Sequence, residues 1–174
     1  MVLFRENDTR KHHDGNHARN NEQSYEYVRN VLHDSFLSKI LSLPENEIAQ
    51  IIRIGRFGPN LENIRCSFCG SRNILRFGHK YNRANIRRYR CGKCKKIFND
   101  LTGTPLNGSK ISLKEWIIIT YLSFIKRETI INISRILCRP YPTIWNAINR
   151  LKNTKEITSY IVNMLTLYKF LINK

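Results

Sequence analysis

The chain has 174 residues, and its 30 Lys and Arg against 13 Asp and Glu give a formal net charge of +17. A hydrophobic content of 41% excludes wholesale disorder, and no apolar run approaches the ~20 residues that span a bilayer. The N-terminus lacks the apolar region of a signal peptide, so we expect an intracellular protein. Its five cysteines are then expected to bind metal or stay free.

The positive charge is concentrated in the C-terminal two-thirds of the chain. Residues 1–62 carry eight basic and nine acidic side chains, whereas residues 63–99 carry eleven basic and no acidic ones. Residues 110–174 carry eleven basic and three acidic side chains. Diffuse solubilising charge would not be partitioned in this way. We interpret the asymmetry as a surface for a polyanion, with nucleic acid the first expectation and an anionic membrane surface the second.

The first predicted elements in chain order are a polar tail and a helical hairpin. Residues 1–24 have no apolar periodicity, which predicts a disordered tail. Apolar residues recur at helical spacing from residue 25 to about 42, and Pro44 is expected to begin a second helix that ends near residue 52. We expect this nearly neutral hairpin, residues 25–59, to serve in packing or partner binding.

Residues 60–108 are predicted to form a zinc ribbon, a small antiparallel β structure held by a metal ion. Two Cys-x2-Cys pairs separated by 21 residues supply the expected ligands, Cys66, Cys69, Cys91 and Cys94. Each pair forms a tight knuckle, and β-prone runs at 73–77 and 86–90 predict a hairpin that brings both knuckles to one structural Zn²⁺. Gly70 and Gly92 are expected to supply the positive φ that each knuckle turn needs.

Other interpretations of the cysteines stay open. Redox-active Cys-x-x-Cys pairs would normally lie in a βαβ setting, which the pattern here does not predict. His79 is an alternative fourth ligand. A catalytic zinc ion is not expected, because four thiolates leave no open coordination position. The fifth cysteine, Cys138, falls at the end of an apolar helical pattern and is expected to be a buried free thiol.

The hairpin and the second knuckle carry basic side chains that we expect to contact phosphate. These residues are Arg72, Arg76, Lys80, Arg83, Arg87, Arg88, Arg90, Lys93, Lys95 and Lys96. On a strand, Arg88 and Arg90 would share one face and Arg87 the other. Tyr81 and Tyr89 are interleaved with them and would stack or pack. The alternative is a merely solvated basic face.

Residues 109–174 are predicted to form a helix-turn-helix bundle with a C-terminal helix. The periodicity predicts helices at 112–126, 129–137, 142–152 and 155–172. A short turn between the second and third of these is typical of a helix-turn-helix, although a plain helical bundle shows the same periodicity. The residues expected to contact DNA are Thr143, Asn146, Asn149, Arg150 and Lys152. Trp116 and Trp145 are expected in the core.

A family resemblance follows from motifs that occur in a characteristic order. They are Arg88-Tyr89-Arg90-Cys91-Gly92-Lys93-Cys94, Phe98, Leu101-Thr102-Gly103-Thr104-Pro105-Leu106, Ser109-Lys110 and Trp116. Residues 60–152 resemble the N-terminal region of Merlin-type DNA transposases and their bacterial insertion-sequence relatives. The resemblance implies a zinc ribbon with the four cysteines as ligands, then a helix-turn-helix whose second helix is residues 143–152. It also implies recognition of terminal inverted repeats.

The resemblance also implies a catalytic domain that this sequence does not match. Such transposases cut DNA with three carboxylates on an RNase H-like domain, and the acids after Asp100 are Glu115, Glu128 and Glu156. Two-metal phosphoryl transfer needs carboxylates that converge on ions ~4 Å apart, and acids spread over predicted helices form no such set. We therefore expect a transposase-derived, zinc-dependent protein that binds duplex DNA, is associated with the chromosome in a nucleus or nucleoid, and is not an enzyme by itself.

Two alternatives to this function stay open. The chain is alternatively a fragment or subunit of an active transposase whose carboxylates lie on another chain, or a zinc-ribbon module that binds RNA or the transcription machinery. Homo-oligomerisation through the C-terminal helix is a further expected interaction, and a membrane partner is not expected. The predicted fold class is α+β, a small antiparallel zinc ribbon flanked by a helical hairpin and a helix-turn-helix bundle.

Overall fold

The structure, a computed structural model, describes residues 34–79 and 85–154. From Ser35 onward the described residues belong to one compact unit. The predicted tail, the start of the predicted hairpin and the predicted helix at 155–172 lie outside the described residues. Within them, helices combine with a small antiparallel sheet that carries the cysteines, so the α+β prediction is confirmed.

In the described residues before the sheet lie two helices, α1 (Ser35–Ser42) and α2 (Glu45–Phe57). Glu45 and Glu47 lie in the first turn of α2, where carboxylates interact favourably with the helix dipole. Helix α2 runs past its predicted end near residue 52 and ends before Gly58, whose φ is 83°. The extension is stabilised by the burial of Phe57, which packs edge-on against Tyr89 with ring centroids 6.0 Å apart.

The sheet has three antiparallel strands in the order β1 (Ile74–His79), β2 (Arg87–Cys91) and β3 (Ile97–Asn99). The first two lie close to the predicted runs. Strand β3 was not predicted, because three residues are too few to show an alternating pattern. Tyr89 lies opposite Phe98, and both side chains are buried on the face that packs against Phe57.

The C-terminal part of the described chain is helical. Helix α3 (Leu113–Thr120) continues directly into a π-helix (Tyr121–Ile125), where a single α-helix was predicted, and is followed by α4 (Ile130–Ile136) and α5 (Tyr141–Lys152). Ser112 and Glu115 form a reciprocal capping box that starts α3. The core of this module includes Trp116, as predicted, with Ile133 and Ile144, all fully buried.

Two predictions about side-chain burial are wrong. Cys138 is exposed, because α4 ends before it and it lies, with a φ of 48°, in the turn that leads to α5. Trp145 is 47% exposed. The buried side of α5 is formed by Ile144, Ala147, Ile148 and Leu151, and one step along a helix from Ile144 places Trp145 about 100° away from that side.

The helices before the sheet pack on the C-terminal module. The ring centroids of Phe36 on α1 and Tyr121 lie 4.4 Å apart. The backbone N–H of Leu113 donates to Oε1 of Glu45 at 2.6 Å, so α2 also caps the start of α3. The described part of the predicted hairpin is therefore a packing element. None of the described helices is long and apolar enough to cross a membrane.

Candidate metal centre and nucleic-acid interface

The four cysteines of the two pairs converge on one point beside the sheet. They are Cys66, Cys69, Cys91 and Cys94, and their Sγ atoms all lie within 4.8 Å of one another. The Cys66–Cys94 and Cys69–Cys91 sulfur pairs are 3.5 and 3.6 Å apart. A tetrahedral ion with Zn–S bonds of about 2.3 Å requires sulfurs about 3.8 Å apart. The cluster therefore has the donors and dimensions of one four-sulfur metal site, and His79 is not part of it.

The two knuckles repeat one backbone hydrogen-bond pattern. In the first, the N–H of Gly70 donates to the carbonyl of Cys66 at 2.9 Å; in the second, the N–H of Lys95 donates to the carbonyl of Cys91 at 3.0 Å. The residue after the second cysteine of each pair takes a positive φ, 70° at Gly70 and 62° at Lys95. This pseudo-symmetry aims both thiol pairs at the same point.

The expected role of Gly92 is wrong, because Lys95 takes the positive φ in the second knuckle. Gly92 instead allows a close approach between two segments. Its N–H donates to the carbonyl of Asn73 at 2.8 Å, and a Cβ at Gly92 would lie 2.5 Å from the Asn73 side-chain amide. Because Gly92 has no side chain, the second knuckle can pack directly against the start of β1.

Backbone N–H groups also point at the sulfurs. The N–H of Cys94 donates to Sγ of Cys91 at 3.4 Å, and this bond is the largest cause that lowers the pKa of Cys91 to about 6. The N–H of Lys96 lowers the pKa of Cys94, but desolvation and hydrogen bonds with the other three thiols outweigh it and raise that pKa to about 11. Stabilisation of a thiolate at Cys91 suits a metal ligand.

The predicted phosphate-binding residues lie on the sheet and the knuckles. Lys80 and Arg83 lie outside the described residues. Six are exposed: Arg72, Arg76, Arg90, Lys93, Lys95 and Lys96. Arg87 and Arg88 are half-buried. The strand register puts Arg88 and Arg90 on the face opposite Tyr89, whose phenol packs inside and hydrogen-bonds Asp100.

The polar residues predicted to contact DNA lie off the buried side of α5. Asn146, Arg150 and Lys152 are exposed, and Thr143 and Asn149 are half-buried. Arg150 already has partners within the chain. Its Nη2 donates to the carbonyl of Asn107 at 2.7 Å, and its guanidinium lies 5.6 Å from the centroid of a Trp116 ring. Arg150 therefore braces α5 against the segment that follows β3.

An open cleft of about 490 Å³ separates α5 from that segment. It is lined by Thr104, Pro105, Asn146, Asn149, Arg150, Asn153 and Thr154. The lining contains amide, hydroxyl and guanidinium groups. The Thr-Gly-Thr-Pro motif thus lies beside the helix predicted to read DNA, an adjacency that no local sequence pattern indicates.

Asp100 is a structurally important residue that no motif in the sequence identifies. Its side chain is fully buried. Its Oδ1 accepts a hydrogen bond from the Tyr89 hydroxyl at 2.8 Å, and its Oδ2 accepts one from the N–H of Arg87 at 2.7 Å. Burial, followed by the Asp100 charge, raises the pKa of Tyr89 far above its usual value. The signal in the sequence was a lone acid directly after the acid-free stretch 63–99.

Comparison with known proteins finds a relative in a transposable element. The chain is 25% identical over 87 residues to an uncharacterized protein in transposable element ISH50 of Halobacterium salinarum. The match covers 50% of this chain and 29% of that protein, so this chain spans less than a third of the relative's length. No family model matches the chain. No solved structure matches it either.

Proposed function

We propose that the chain is a zinc-stabilised, transposon-derived protein that binds duplex DNA. The observation that carries this proposal is the four-thiol cluster beside the sheet. The cluster and most of the sheet belong to residues 63–99, which contain eleven basic and no acidic residues. Four thiolates and one Zn²⁺ carry a formal charge of about −2, which leaves the stretch strongly positive. Such a surface suits the phosphate backbone of nucleic acid.

The transposon origin is supported by two similarities of the amino-acid sequence. The sequence motifs around the second knuckle and the Thr-Gly-Thr-Pro segment resemble Merlin-type transposases, and the similar protein of Halobacterium salinarum belongs to a transposable element. Recognition of the terminal inverted repeats of such an element, and association with the chromosome, are the corresponding roles that we propose.

A helix-turn-helix formed by α4 and α5 is the proposed second contact with DNA. The turn between them is held by Ser134, whose hydroxyl donates to the carbonyl of Arg139, and by Arg139, whose Nε donates to Oε1 of Glu115 at 2.7 Å. These contacts fix the start of α5 and leave Asn146 exposed. Asn side chains can pair with the major-groove edge of adenine.

The described acids after β3 support a binding role without catalysis by this part of the chain. Asp100 is buried in an ion pair, Glu115 caps α3 and pairs with Arg139, and Glu128 accepts from Asn132. Among the described residues, no three carboxylates come close enough to hold a metal ion. We propose that DNA cleavage, where it occurs, uses carboxylates on another domain or chain.

The test is fluorescence anisotropy of a labelled duplex with the zinc-loaded full chain over a salt series. We expect steep salt dependence and loss of binding when a chelator removes zinc. Arg90→Ala should flatten the salt slope by about one unit. Lys39→Ala, which removes a positive charge from helix α1, is the matched control and should leave the slope unchanged.

Three results would contradict the proposal in different ways. Binding that survives chelation unchanged would assign the DNA contact to the helices alone. Tighter binding to an RNA competitor than to the duplex would favour the RNA-binding alternative. Equal slopes for the Arg90 and Lys39 variants would show that Arg90 does not contact phosphate.

A further inference from the structure

The sheet has an outer face that is apolar and cationic at the same time. We define the outer face as Leu75, Phe77, Arg88, Arg90 and Ile97, on the side opposite Tyr89. Its three apolar side chains are exposed by 57% at Leu75, 41% at Phe77 and 43% at Ile97. Among the described residues, a large part of each of these side chains is open to solvent.

The register explains how these residues come together. Arg90 lies opposite Leu75 on β1 and opposite Ile97 on β3, so the three side chains form one row across the sheet. A register shift between Arg76 and His79 bends the end of β1, and Gly78 supplies the positive φ of 77° at that bulge.

The same bulge places an aromatic ring under a cation. The guanidinium of Arg88 lies 5.3 Å from the centroid of the Phe77 ring, within the range of a cation–π contact. The Arg88 guanidinium therefore lies over the Phe77 ring on the outer face before any ligand arrives. A flat ring beside a fixed cation is suited to a ligand that has both a π face and a negative charge.

We propose that the outer face binds unpaired bases of single-stranded DNA. Phe77 stacks against a base, Leu75 and Ile97 contact the neighbouring bases, and Arg88 and Arg90 contact the phosphates. A fully paired duplex hides the faces of its bases, so it can use the arginines but not the apolar side chains. The inference rests on the proposed DNA-binding function and adds the form of DNA that this face prefers.

Charge and chemistry favour this occupant over others. The absence of any acid in residues 63–99 suits a polyanion better than an ordinary apolar protein surface. Leu75, Phe77 and Ile97 carry no group that can hydrogen-bond a ribose 2′-hydroxyl, which is the group that distinguishes RNA from DNA. The apolar part of the outer face therefore gives RNA no advantage over DNA.

The experiment measures binding of the zinc-loaded full chain to four labelled probes. They are a mixed-sequence DNA strand of about 16 nucleotides, a strand of equal length whose central nucleotides are abasic, the blunt duplex of the first strand, and an RNA strand of the same sequence. We expect the abasic strand to bind about tenfold more weakly than the intact strand. Phe77→Ala should weaken the intact strand by a similar factor and leave the duplex within about twofold.

Controls separate stacking from folding. Leu75→Ala provides a second variant at a more exposed position, and Leu41→Ala, at a side chain 45% exposed on α1, is the matched control that should change nothing. Zinc content and far-UV circular dichroism establish that each variant is folded. The comparison of intact and abasic strands needs no variant at all.

The outcomes distinguish this inference from the proposed function. If the parent chain binds the duplex but binds abasic and intact strands equally, the inference is wrong and the proposed function stands. If the parent chain binds no DNA, both are wrong. The inference would also be overturned if the RNA strand bound about tenfold more tightly than the DNA strand. It would be overturned in favour of a protein partner if Phe77→Ala changed binding to none of the probes.

Discussion

Arg53 on α2 and Asp100 after β3 form a buried ion pair between residues 47 positions apart in the sequence. Nε and Nη2 of Arg53 both donate to Oδ2 of Asp100, at 3.1 and 3.0 Å. Their side chains are 8% and 0% exposed. Nη2 of Arg53 also donates to the carbonyl of Asn85 at 2.7 Å. The pair thus ties the helical layer to the ribbon through contacts that do not involve the cysteines.

We expect Asp100→Ala to lower the free energy of unfolding by about 3–5 kcal/mol, because it leaves the Arg53 guanidinium buried without its counter-charge. Urea titration of the zinc-loaded chain measures the change. Glu47→Ala, which removes an exposed carboxylate from the same helix as Arg53, should cost less than about 1 kcal/mol. Equal effects of the two substitutions would show that the ion pair is not important for stability.

Removal of one ligand should abolish the metal site. In Cys91→Ser we expect zinc content to fall from about one ion per chain to near zero, and the ribbon to unfold, since the binding free energy of a structural zinc is also folding free energy. Elemental analysis and circular dichroism measure both. Cys138→Ser is the control, because Cys138 lies outside the cluster. Full zinc content in the Cys91 variant would exclude a four-sulfur site.

Glu115 links helix capping to the turn before α5. Burial raises its pKa, but hydrogen bonds from Arg139 and Ser112 outweigh this and hold the pKa of Glu115 below its usual value. We expect Glu115→Ala to cost about 1 kcal/mol through loss of the capping box. Glu115→Gln should keep much of the box, since Gln also fits this position.

The pH dependence of stability separates the two roles of Glu115. Because its pKa is lower in the folded than in the unfolded chain, its charged form adds stability above the unfolded pKa of about 4.3, and that stability is lost as pH falls through the folded pKa. Thermal melts between pH 7 and pH 3 should show a smaller acid-induced loss for Glu115→Gln than for the parent. Parallel curves would contradict the assigned ion pair with Arg139.

Arg150 is expected to stabilise the fold as well as any DNA complex. Arg150→Ala removes its hydrogen bond to Asn107 and its contact with Trp116, and should lower the free energy of unfolding by about 1 kcal/mol. Lys152→Ala, at an exposed neighbour on the same helix, should leave stability unchanged. Chemical denaturation without DNA measures the difference. A purely DNA-contacting Arg150 would behave like Lys152 in this assay.

Much of the site and part of the fold were predictable because they depend on local spacing. Two Cys-x2-Cys pairs position thiols through knuckle turns that each involve only a few neighbouring residues, so the four ligands could be named from sequence. Strands β1 and β2 and helices α4 and α5 likewise follow from short-range periodicity and from Pro142 in the first turn of α5.

Other features depend on contacts between residues far apart in the chain, and only the folded arrangement reveals them. Strand β3 forms because Ile97 and Phe98 pair with β2. Asp100 is buried in an ion pair with Arg53, which lies on a helix distant in sequence. Arg150 donates to the carbonyl of a loop residue 43 positions away. The outer face arises from a register and a bulge that place Phe77 beside Arg88. Sequence periodicity predicts which residues share a face of one helix or strand. Only tertiary packing determines which other residues that face contacts.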